Sequence, residues 1–217
     1  MKNLVIYGDS PFAERIYSYI RIEGRDRVVG FVNDESFITR DVIAGIPVIP
    51  FQKLKYALKC DFEIILGYGY TGMNNLREKI YNECKKEGYK VGTYISTNAI
   101  CYSDMISEGC IILPNVLIGP GTIIGKCNYF AASCVISHDS IIGDFNFFST
   151  NVVLGGHANV GNHCFLGLHS TVKNDITLAD YTFLGSACNM LKDSHYGCGY
   201  VGNPARKLDK SSLELNI

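Results

Sequence analysis

The sequence predicts a parallel β-helix of six-residue repeats, preceded by a small α/β domain. Three observations carry this prediction. The second half of the chain has an unbroken period of six, a second frame of the same period holds small residues, and the first hundred residues alternate between strand and helix patterns. The repeat runs from about Ile100 to Met190.

Large apolar residues recur at every sixth position from Ile106 to Met190. At 47% hydrophobic composition, chance would fill one such frame with a probability of roughly 10⁻⁵. A period of six fits neither the 3.6-residue period of an α-helix nor a heptad, so the pattern predicts short strands joined by tight turns. The frame consists of Ile106, Ile112, Ile118, Ile124, Phe130, Ile136, Ile142, Phe148, Leu154, Val160, Leu166, Val172, Leu178, Leu184 and Met190.

The second frame, four residues later, holds mostly small or β-branched residues. It contains Cys110, Cys134, Cys164 and Cys188, which we expect to be buried because free cysteine behaves as a small hydrophobe. The nine cysteines form no CxxC pair and are odd in number, which argues against a disulfide framework. Glycine often follows the large residue, and there we expect a tight corner with positive φ. These glycines are Gly119, Gly125, Gly143, Gly155, Gly161, Gly167 and Gly185.

The first hundred residues predict a small parallel sheet, because strand and helix patterns alternate. Strands are predicted at 2–7, 28–32, 46–48 and 62–67, and helices at 12–22 and 74–87. The first turn is not a dinucleotide fingerprint, since Ser10 and Ala13 replace the second and third glycines of GxGxxG. Two interpretations stay open: a nucleotide or sugar at the carboxyl ends of the strands, or an ordinary tight turn.

Composition limits the classes of partner. A formal net charge of −1 over 217 residues gives no electrostatic footprint for nucleic acid or an anionic membrane. No apolar run approaches the roughly 20 residues that span a bilayer, and the first residues lack a signal-peptide pattern. We therefore expect a cytoplasmic protein.

The order of an α/β domain, hexapeptide repeats and a terminal VGNPA run at 201–205 resembles the sialic-acid O-acetyltransferase-like family of bacterial sugar acyltransferases. Its best-understood relatives are N-acetyltransferases of nucleotide-linked 4-amino-sugars. The repeat alone indicates only the wider class of β-helix acyltransferases. The run Ser137-His138-Asp139, Gly156 and the run 164–167 (CFLG) narrow the resemblance, which covers essentially the whole chain.

The resemblance implies a left-handed β-helix with three hexapeptides per coil, acetyl-CoA as co-substrate, and a homotrimer with active sites between subunits. The implied division is a Rossmann-like, nucleotide-sugar-binding domain at 1–95, the acetyltransferase β-helix at 96–195 and a C-terminal extension at 196–217. The implied reaction is N-acetylation of a nucleotide-linked amino-sugar, in the synthesis of bacterial surface polysaccharide or glycan.

The resemblance also assigns roles to residues. His138 matches the general base, and Asp139 matches the acidic residue that assists it. Gly156, Leu168 and Ser186 match positions that line the acetyl-CoA site. Phe147 stands where the relatives have a second histidine near the cofactor, and Ser-Pro-Phe-Ala at 10–13 replaces the usual Ser-Gly-His-Gly. The predicted substrate-binding residues are Gly8, Ser10, Pro11, Phe12, Asn33, Asp34 and Gly67.

Acyl transfer from a thioester needs a base, an oxyanion donor and alignment of the two reactants. Histidine titrates near neutrality, and a neighbouring carboxylate stabilises its imidazolium, so His138 and Asp139 suit the first requirement. With 18 residues per coil, Gly156 lies directly above His138, about 4.8 Å away. A glycine there leaves its N–H unshielded, which predicts an oxyanion donor beside the base.

Other candidate residues keep two interpretations each. His157, His163 and His169 are spaced by six, but three hexapeptides per coil put them on different faces, so no shared zinc ion and no carbonic-anhydrase site is predicted. We expect them at the surface or at subunit contacts. Tyr68 and Tyr70 either stack on a nucleotide base or belong to a mobile connecting loop. The basic residues near the C-terminal coils either contact CoA phosphates or are simply solvated; these are Lys173, Lys192, Arg206 and Lys207.

Two alternative functions remain. One is O-acetylation of a sugar hydroxyl, since nothing in the sequence distinguishes an amine acceptor from an alcohol. The other is a non-catalytic trimeric scaffold, in which the coils assemble and the first domain binds a ligand. The pairing of His138 and Asp139 with Gly156 favours an enzyme over the scaffold.

Overall fold

The computed structural model describes residues 1–215 and begins with a five-stranded sheet. β1 pairs in parallel with β2 and β5, and β2 pairs in parallel with β4. The predicted parallel pairing is therefore observed. At the edge of the sheet, β3 pairs antiparallel with β4; the sequence did not predict this strand because two residues are too few to show a strand pattern. The elements are β1 (Asn3–Tyr7), α1 (Pro11–Glu23), β2 (Arg27–Asn33), β3 (Val42–Ile43), β4 (Ile46–Pro50), α2 (Leu54–Ala57), β5 (Glu63–Leu66) and α3 (Asn75–Lys86), with single 3₁₀ turns at Glu35–Phe37 and Phe51–Lys53.

Short parallel strands then form three flat faces, and between Ile111 and Met190 each strand pairs with the strand 18 residues along the chain. One coil therefore contains three hexapeptides. The first two strands, at Tyr94–Ile95 and Ile100–Cys101, pair with strands 17 residues along the chain. The first face contains β6 (Tyr94–Ile95), β8 (Ile111–Ile112), β11 (Tyr129–Phe130), β14 (Phe147–Phe148), β17 (Phe165–Leu166) and β20 (Phe183–Leu184). The second face contains β7 (Ile100–Cys101), β9 (Leu117–Ile118), β12 (Val135–Ile136), β15 (Val153–Leu154), β18 (Thr171–Val172) and β21 (Asn189–Met190). The third contains β10 (Ile123–Ile124), β13 (Ile141–Ile142), β16 (Asn159–Val160) and β19 (Thr177–Leu178).

The period-six residues fill the interior of the coils, as predicted. From Ile112 to Met190 each is buried, and Ile106 packs against them. Cys110, Cys134, Cys164 and Cys188 are fully buried free thiols in the same core. The cysteines are thus packing residues, and the two predicted frames together account for the β-helix core.

The expected positive φ at the repeat glycines was wrong. The left-handed conformation lies two residues later, at Gly121 after Gly119 and at non-glycine residues such as Cys127 and His157 after Gly125 and Gly155. The glycines are required for another reason: a Cβ on Gly119 would lie 2.7 Å from the backbone nitrogen of His138, and one on Gly167 would lie 2.7 Å from the backbone carbonyl oxygen of Leu184. They allow one coil to stack closely on the next.

The N-terminal unit packs against the first face of the β-helix. Ile16 and Ile20 of α1 share a buried cluster with Tyr129 and Phe147. Beyond the last coil, β22 (Cys198–Val201) extends the first face in parallel to β20, and β23 (Arg206–Ser211) returns antiparallel to it, followed by a 3₁₀ turn at Ser212–Glu214. No helix within residues 1–215 is long and apolar enough to cross a membrane.

Candidate active site

His138 and Asp139 lie at the corner between the second and third faces. His138 Nδ1 lies 2.9 Å from Asp139 Oδ2, and the two side chains are 56% and 54% exposed. Asp139 adopts a left-handed φ of 55°, and its N–H donates to the Pro120 carbonyl oxygen at 2.9 Å. The coil corner therefore directs the carboxylate at the imidazole. With Asp139 ionised, Nδ1 donates the proton and Nε2 carries the lone pair.

Two glycines make room for this pair. A Cβ on Gly156, one coil above, would lie 2.7 Å from both Cε1 and Nε2 of His138. A Cβ on Gly121, one coil below, would overlap the Asp139 carboxylate. The predicted stacking of Gly156 on His138 is what the structure shows, and the ring itself occupies the space that a side chain would take. Gly121, at the matching 18-residue offset below Asp139, was not predicted.

The corner leaves two polar groups available to a ligand. Within residues 1–215, neither His138 Nε2 nor the Gly156 N–H has a hydrogen-bond partner. One is a base with a free lone pair, and the other is a backbone donor on the coil directly above. This arrangement can accept a proton and stabilise a negative oxygen at neighbouring points.

The three evenly spaced histidines lie at three different corners, as expected for an 18-residue coil. His157 and His169 are exposed, whereas His163 is buried, so the expectation of a surface position was wrong for His163. Its ring stacks between Phe145 and Tyr181, its Nε2 lies 3.3 Å from Glu78, and burial lowers its pKa despite that carboxylate.

A different set of three groups could hold a metal. The His157 ring lies edge-on to the His138 ring at 5.1 Å, and His138, Asp139 and His157 offer ligand atoms within 4.8 Å of one another. All three side chains are exposed. The sequence spacing concealed this set, because stacked coils bring residues 18 or 19 apart together.

The predicted cofactor residues Phe147, Leu168 and Ser186 line a cavity of about 420 Å³ between α1 and the first face. Phe12, predicted to bind substrate, lines it too, with its ring 6.3 Å from that of Phe147. Phe147 is 6% exposed, and Leu168 is 50% exposed. We call this cavity the aromatic pocket; its other aromatic residues are Tyr19, Tyr70, Tyr129 and Phe165, and its one cation is Arg15.

The aromatic pocket and the His138 corner do not meet within one chain. The pocket ends at the corner between the first and second faces, where Ala132 and Thr150 lie. His138 lies one full face further along the same coil, and six extended residues span up to about 20 Å. The structure therefore groups Gly156 with His138, and Leu168 and Ser186 with Phe12.

The predicted residues at the strand ends form a hydrogen-bonded network. Asn33 is buried, donates to Asp9 at 2.8 Å and accepts from the Tyr68 hydroxyl at 2.8 Å. The partly exposed Asp34 lines a second cavity of about 440 Å³. Burial, with Asp34 nearby, raises the pKa of Tyr7, whose hydroxyl donates to Asp34. The network orients Asp34 and leaves Asn33 little capacity to bind a ligand.

The remaining predicted substrate residues shape the first turn. A Cβ on Gly8 would lie 2.9 Å from the Gly67 carbonyl oxygen, so these glycines allow two loops to approach closely. Ser10 is the N-cap residue of α1 and Pro11 its first residue. This turn separates the Asn33–Asp34 end from Phe12, which points into the aromatic pocket. The seven predicted substrate residues are therefore divided among three places: the strand ends, the first turn and the aromatic pocket.

The predicted basic residues Lys173, Lys192, Arg206 and Lys207 are all exposed. Lys192 and Lys207 line a cavity of about 480 Å³ beside Pro204 at the end of the β-helix, and Arg206 directly precedes Lys207 in β23. They do not contact the aromatic pocket.

Sequence reasoning missed the aromatic ladder on the outside of the first face. Tyr129, Phe147, Phe165 and Phe183 stack in series, with ring centroids 4.6, 5.6 and 5.2 Å apart. Their spacing of 18 residues was visible in the sequence, one position before the interior frame. Tyr70 packs on this ladder, with its ring centroid 4.9 Å from that of Phe147 and 4.7 Å from that of Phe165.

Solved structures match the chain over nearly its full length. The acetyltransferase domain of PglB from Neisseria gonorrhoeae, in complex with acetyl coenzyme A, is 20% identical with a TM-score of 0.83, covering 95% of this chain and 99% of that one. A histidine-to-alanine mutant of GDP-perosamine N-acetyltransferase from Caulobacter crescentus, with CoA and GDP-perosamine, is 22% identical with a TM-score of 0.85, covering 97% and 98%. WeeI from Acinetobacter baumannii is 20% identical with a TM-score of 0.83, covering 96% and 100%.

No protein-family model and no curated protein matches the chain. At 20–22% identity, the structural likeness establishes the fold. The acetyltransferases expected from the sequence resemblance are thus the proteins with which this chain shares its fold.

Proposed function

We propose that this protein is an acetyl-CoA-dependent N-acetyltransferase of a nucleotide-linked amino-sugar, with His138 as the general base. The observation that carries the proposal is the His138–Asp139 pair, 2.9 Å apart, with the unpaired Gly156 N–H stacked above it. The structural neighbours that bind acetyl coenzyme A, or CoA with GDP-perosamine, support the same reaction class.

In this proposal His138 Nε2 accepts a proton from the acceptor amine as the amine attacks the acetyl carbonyl. Asp139 holds the Nδ1–H tautomer and stabilises the imidazolium that forms. The Gly156 N–H donates to the oxygen that becomes negative. Acetyl-CoA would supply the activated thioester: its C–S bond breaks as the amide bond forms, and the His138 imidazolium returns its proton to the departing CoA thiolate. These roles require no metal ion, and general-base catalysis of this kind contributes about 10²–10⁴-fold.

We also propose that two copies of the chain complete each site. The donor-side residues Leu168 and Ser186 lie one face away from His138, so a second copy must bring its own pocket against the His138 corner. The homotrimer implied by the resemblance has this geometry. The proposed division remains a Rossmann-like domain at 1–95, a left-handed β-helix at 96–195 and an extension at 196–217.

The acceptor is proposed to span the α/β unit and the aromatic pocket. Asp34 offers a carboxylate for the nucleotide end, and Phe12 offers a flat ring for the apolar face of the sugar. Phe147, which the resemblance places at the cofactor, lies in the same pocket as Phe12, Leu168 and Ser186, so in this proposal its ring faces the point where the sugar and acetyl-CoA meet. Lys192 and Arg206 are proposed contacts for CoA phosphates because they are exposed cations at the C-terminal end of the coils.

A thiol-release assay tests the reaction, with acetyl-CoA offered against a panel of amino-sugar and ordinary nucleotide sugars. We expect CoA release with an amino-sugar nucleotide and loss of at least about a hundredfold in turnover for His138→Ala. Acetylation of sugars that lack an amine would favour O-acetylation. Tight binding without CoA release from any acceptor would contradict the enzyme and favour the scaffold.

Complementation tests the shared site. His138→Ala and Leu168→Glu lie in opposite halves, so each homomeric variant should be inactive while mixed assemblies regain activity. Sedimentation measures whether the assembly is a trimer. Failure of the mixed assemblies to regain activity, with mixing verified by affinity tags, would refute the shared site.

A further inference from the structure

Arg77 is a buried cation with no carboxylate partner. It lies in the first turn of α3 and is 2% exposed, and none of the ion pairs within residues 1–215 includes it. Burial lowers its pKa to about 10, so the guanidinium remains charged at neutral pH. Burying an unpaired charge is costly, and an apolar side chain of similar volume could fill the same space at lower cost. The charge therefore calls for a specific explanation.

The guanidinium joins two separate pieces of backbone. Nη1 donates to the carbonyl oxygens of Cys127 and Asn146, both at 3.2 Å, at the corner between the third and first faces. Nη2 donates to those of Tyr68 and Gly69, at 3.3 and 2.7 Å, in the loop after β5. Only a planar fork with several donors can hold four carbonyls in this way. Arg77 therefore fastens the loop at 67–74 to the β-helix.

The loop is held against a conformational preference. Its last two residues, Met73 and Asn74, have consecutive left-handed φ values of 50° and 65°. Such a conformation costs about 1–2 kcal/mol for a residue such as Met73, whereas asparagine adopts it more readily. The Asn74 amide also donates to the Cys164 carbonyl oxygen at 3.1 Å, one coil beyond Asn146. The α3 end of the loop is thus tied to successive coils.

The tethered loop carries one wall of the aromatic pocket. Tyr70 immediately follows the two carbonyls that Arg77 holds, and its ring lies edge-on to Phe147 and Phe165. The Arg77 guanidinium also lies 5.7 Å from the centroid of the Phe147 ring. Tyr68, whose backbone carbonyl also accepts from Arg77, donates its side-chain hydroxyl to Asn33 Oδ1. One side chain therefore sets the position of both tyrosines.

We propose that Arg77 is a positioning residue for the acceptor: it fixes the loop at 67–74, and with it the ring of Tyr70, as a wall of the aromatic pocket. Its use in catalysis rests on the proposed function, whereas its effect on the loop does not. A cation that only stabilised the fold would affect unfolding without changing acceptor recognition.

Two readouts test the proposal in the full-length protein. The chain contains no tryptophan, so Tyr70→Trp introduces a single fluorescent reporter at the pocket wall. Arg77→Lys keeps the charge but loses the fork, and Arg77→Met serves as a second variant. In both we expect red-shifted emission and stronger acrylamide quenching of the reporter. With native Tyr70, we expect KM for the acceptor to rise about tenfold, equal to about 1.4 kcal/mol, with kcat within about twofold.

Lys85→Met is the matched control. Lys85 also ties α3 to the β-helix, through Glu108 at 3.0 Å, but it does not touch the loop. We expect this variant to lower thermal stability without altering reporter quenching or KM. Unchanged quenching and KM in Arg77→Lys, with a lower melting temperature, would overturn the proposal. If the wild type transfers no acetyl group, the proposed function fails, while the fluorescence comparison still decides the role of Arg77 in the loop.

Discussion

The substitution Gly156→Ala separates the chemistry of the His138 corner from its stability. The new Cβ would lie 2.7 Å from Cε1 and Nε2 of His138, whereas ordinary contacts begin at 3.4 Å, so the ring must move by about 0.7 Å (3.4 − 2.7). The ring is more than half exposed and can rotate away, and Gly156 does not have a positive φ. We therefore expect the free energy of unfolding to change by no more than about 0.5 kcal/mol.

The displaced base should cost activity. Misplacement of a reacting group by about 1 Å can cost about 10²-fold, so we expect kcat to fall by tens-fold to a hundredfold. Gly155→Ala is the contrasting control, because its Cβ would lie 2.4 Å from the backbone nitrogen of Asn174, which cannot rotate away. That variant should lose about 1–3 kcal/mol of stability.

The assay combines steady-state CoA release with thermal unfolding, and a double-mutant cycle completes it. Once His138 is alanine, there is no ring for the new methyl group to displace, so Gly156→Ala should then have little further effect. An undiminished further loss in the His138→Ala background would refute the steric argument and place the whole effect at the Gly156 N–H. Wild-type turnover in Gly156→Ala would refute the placement of the base.

Three further predictions concern other parts of the molecule. Because burial lowers the pKa of His163, the folded protein is most stable above about pH 6.5, where this histidine is neutral, and it loses stability as the pH falls below that value. In His163→Phe the melting temperature should therefore depend less steeply on pH than in the wild type. Equal slopes in the two proteins would contradict this. EDTA should leave CoA release unchanged, whereas added Zn²⁺ should inhibit it by binding to His138, Asp139 and His157. The variant His157→Asn should be less sensitive to Zn²⁺. Equal inhibition of this variant and the wild type would show that Zn²⁺ does not act at these three residues. Phe147→Leu should raise the KM for the acceptor several-fold. Phe183 belongs to the same aromatic ladder but does not line the pocket, so Phe183→Leu should leave this KM unchanged. Equal effects of the two substitutions would show that the pocket does not bind the acceptor.

The sequence was sufficient for the β-helix because each repeat is a local unit with the same requirement. Ile136 must be large to fill the coil, and Cys134 must be small to let the wall close, so both frames are visible without any knowledge of neighbours. The 18-residue coil implied by the resemblance then placed Gly156 over His138. Edge strand β3 was missed because a two-residue strand carries no period.

Only the tertiary structure decided how residues on different units combine. The structure showed that the positive φ lies at Asp139 and not at the repeat glycines. Glycine is needed at Gly119 because a Cβ there would collide with the backbone of the next coil, a contact that the sequence of the turn does not reveal. The structure also showed that Phe147 and His138 occupy separate parts of one chain. Arg77 was invisible in the sequence, since a lone arginine on an amphipathic helix is indistinguishable from a solvated one. Its role depends on four carbonyls that folding gathers from positions up to 69 residues away.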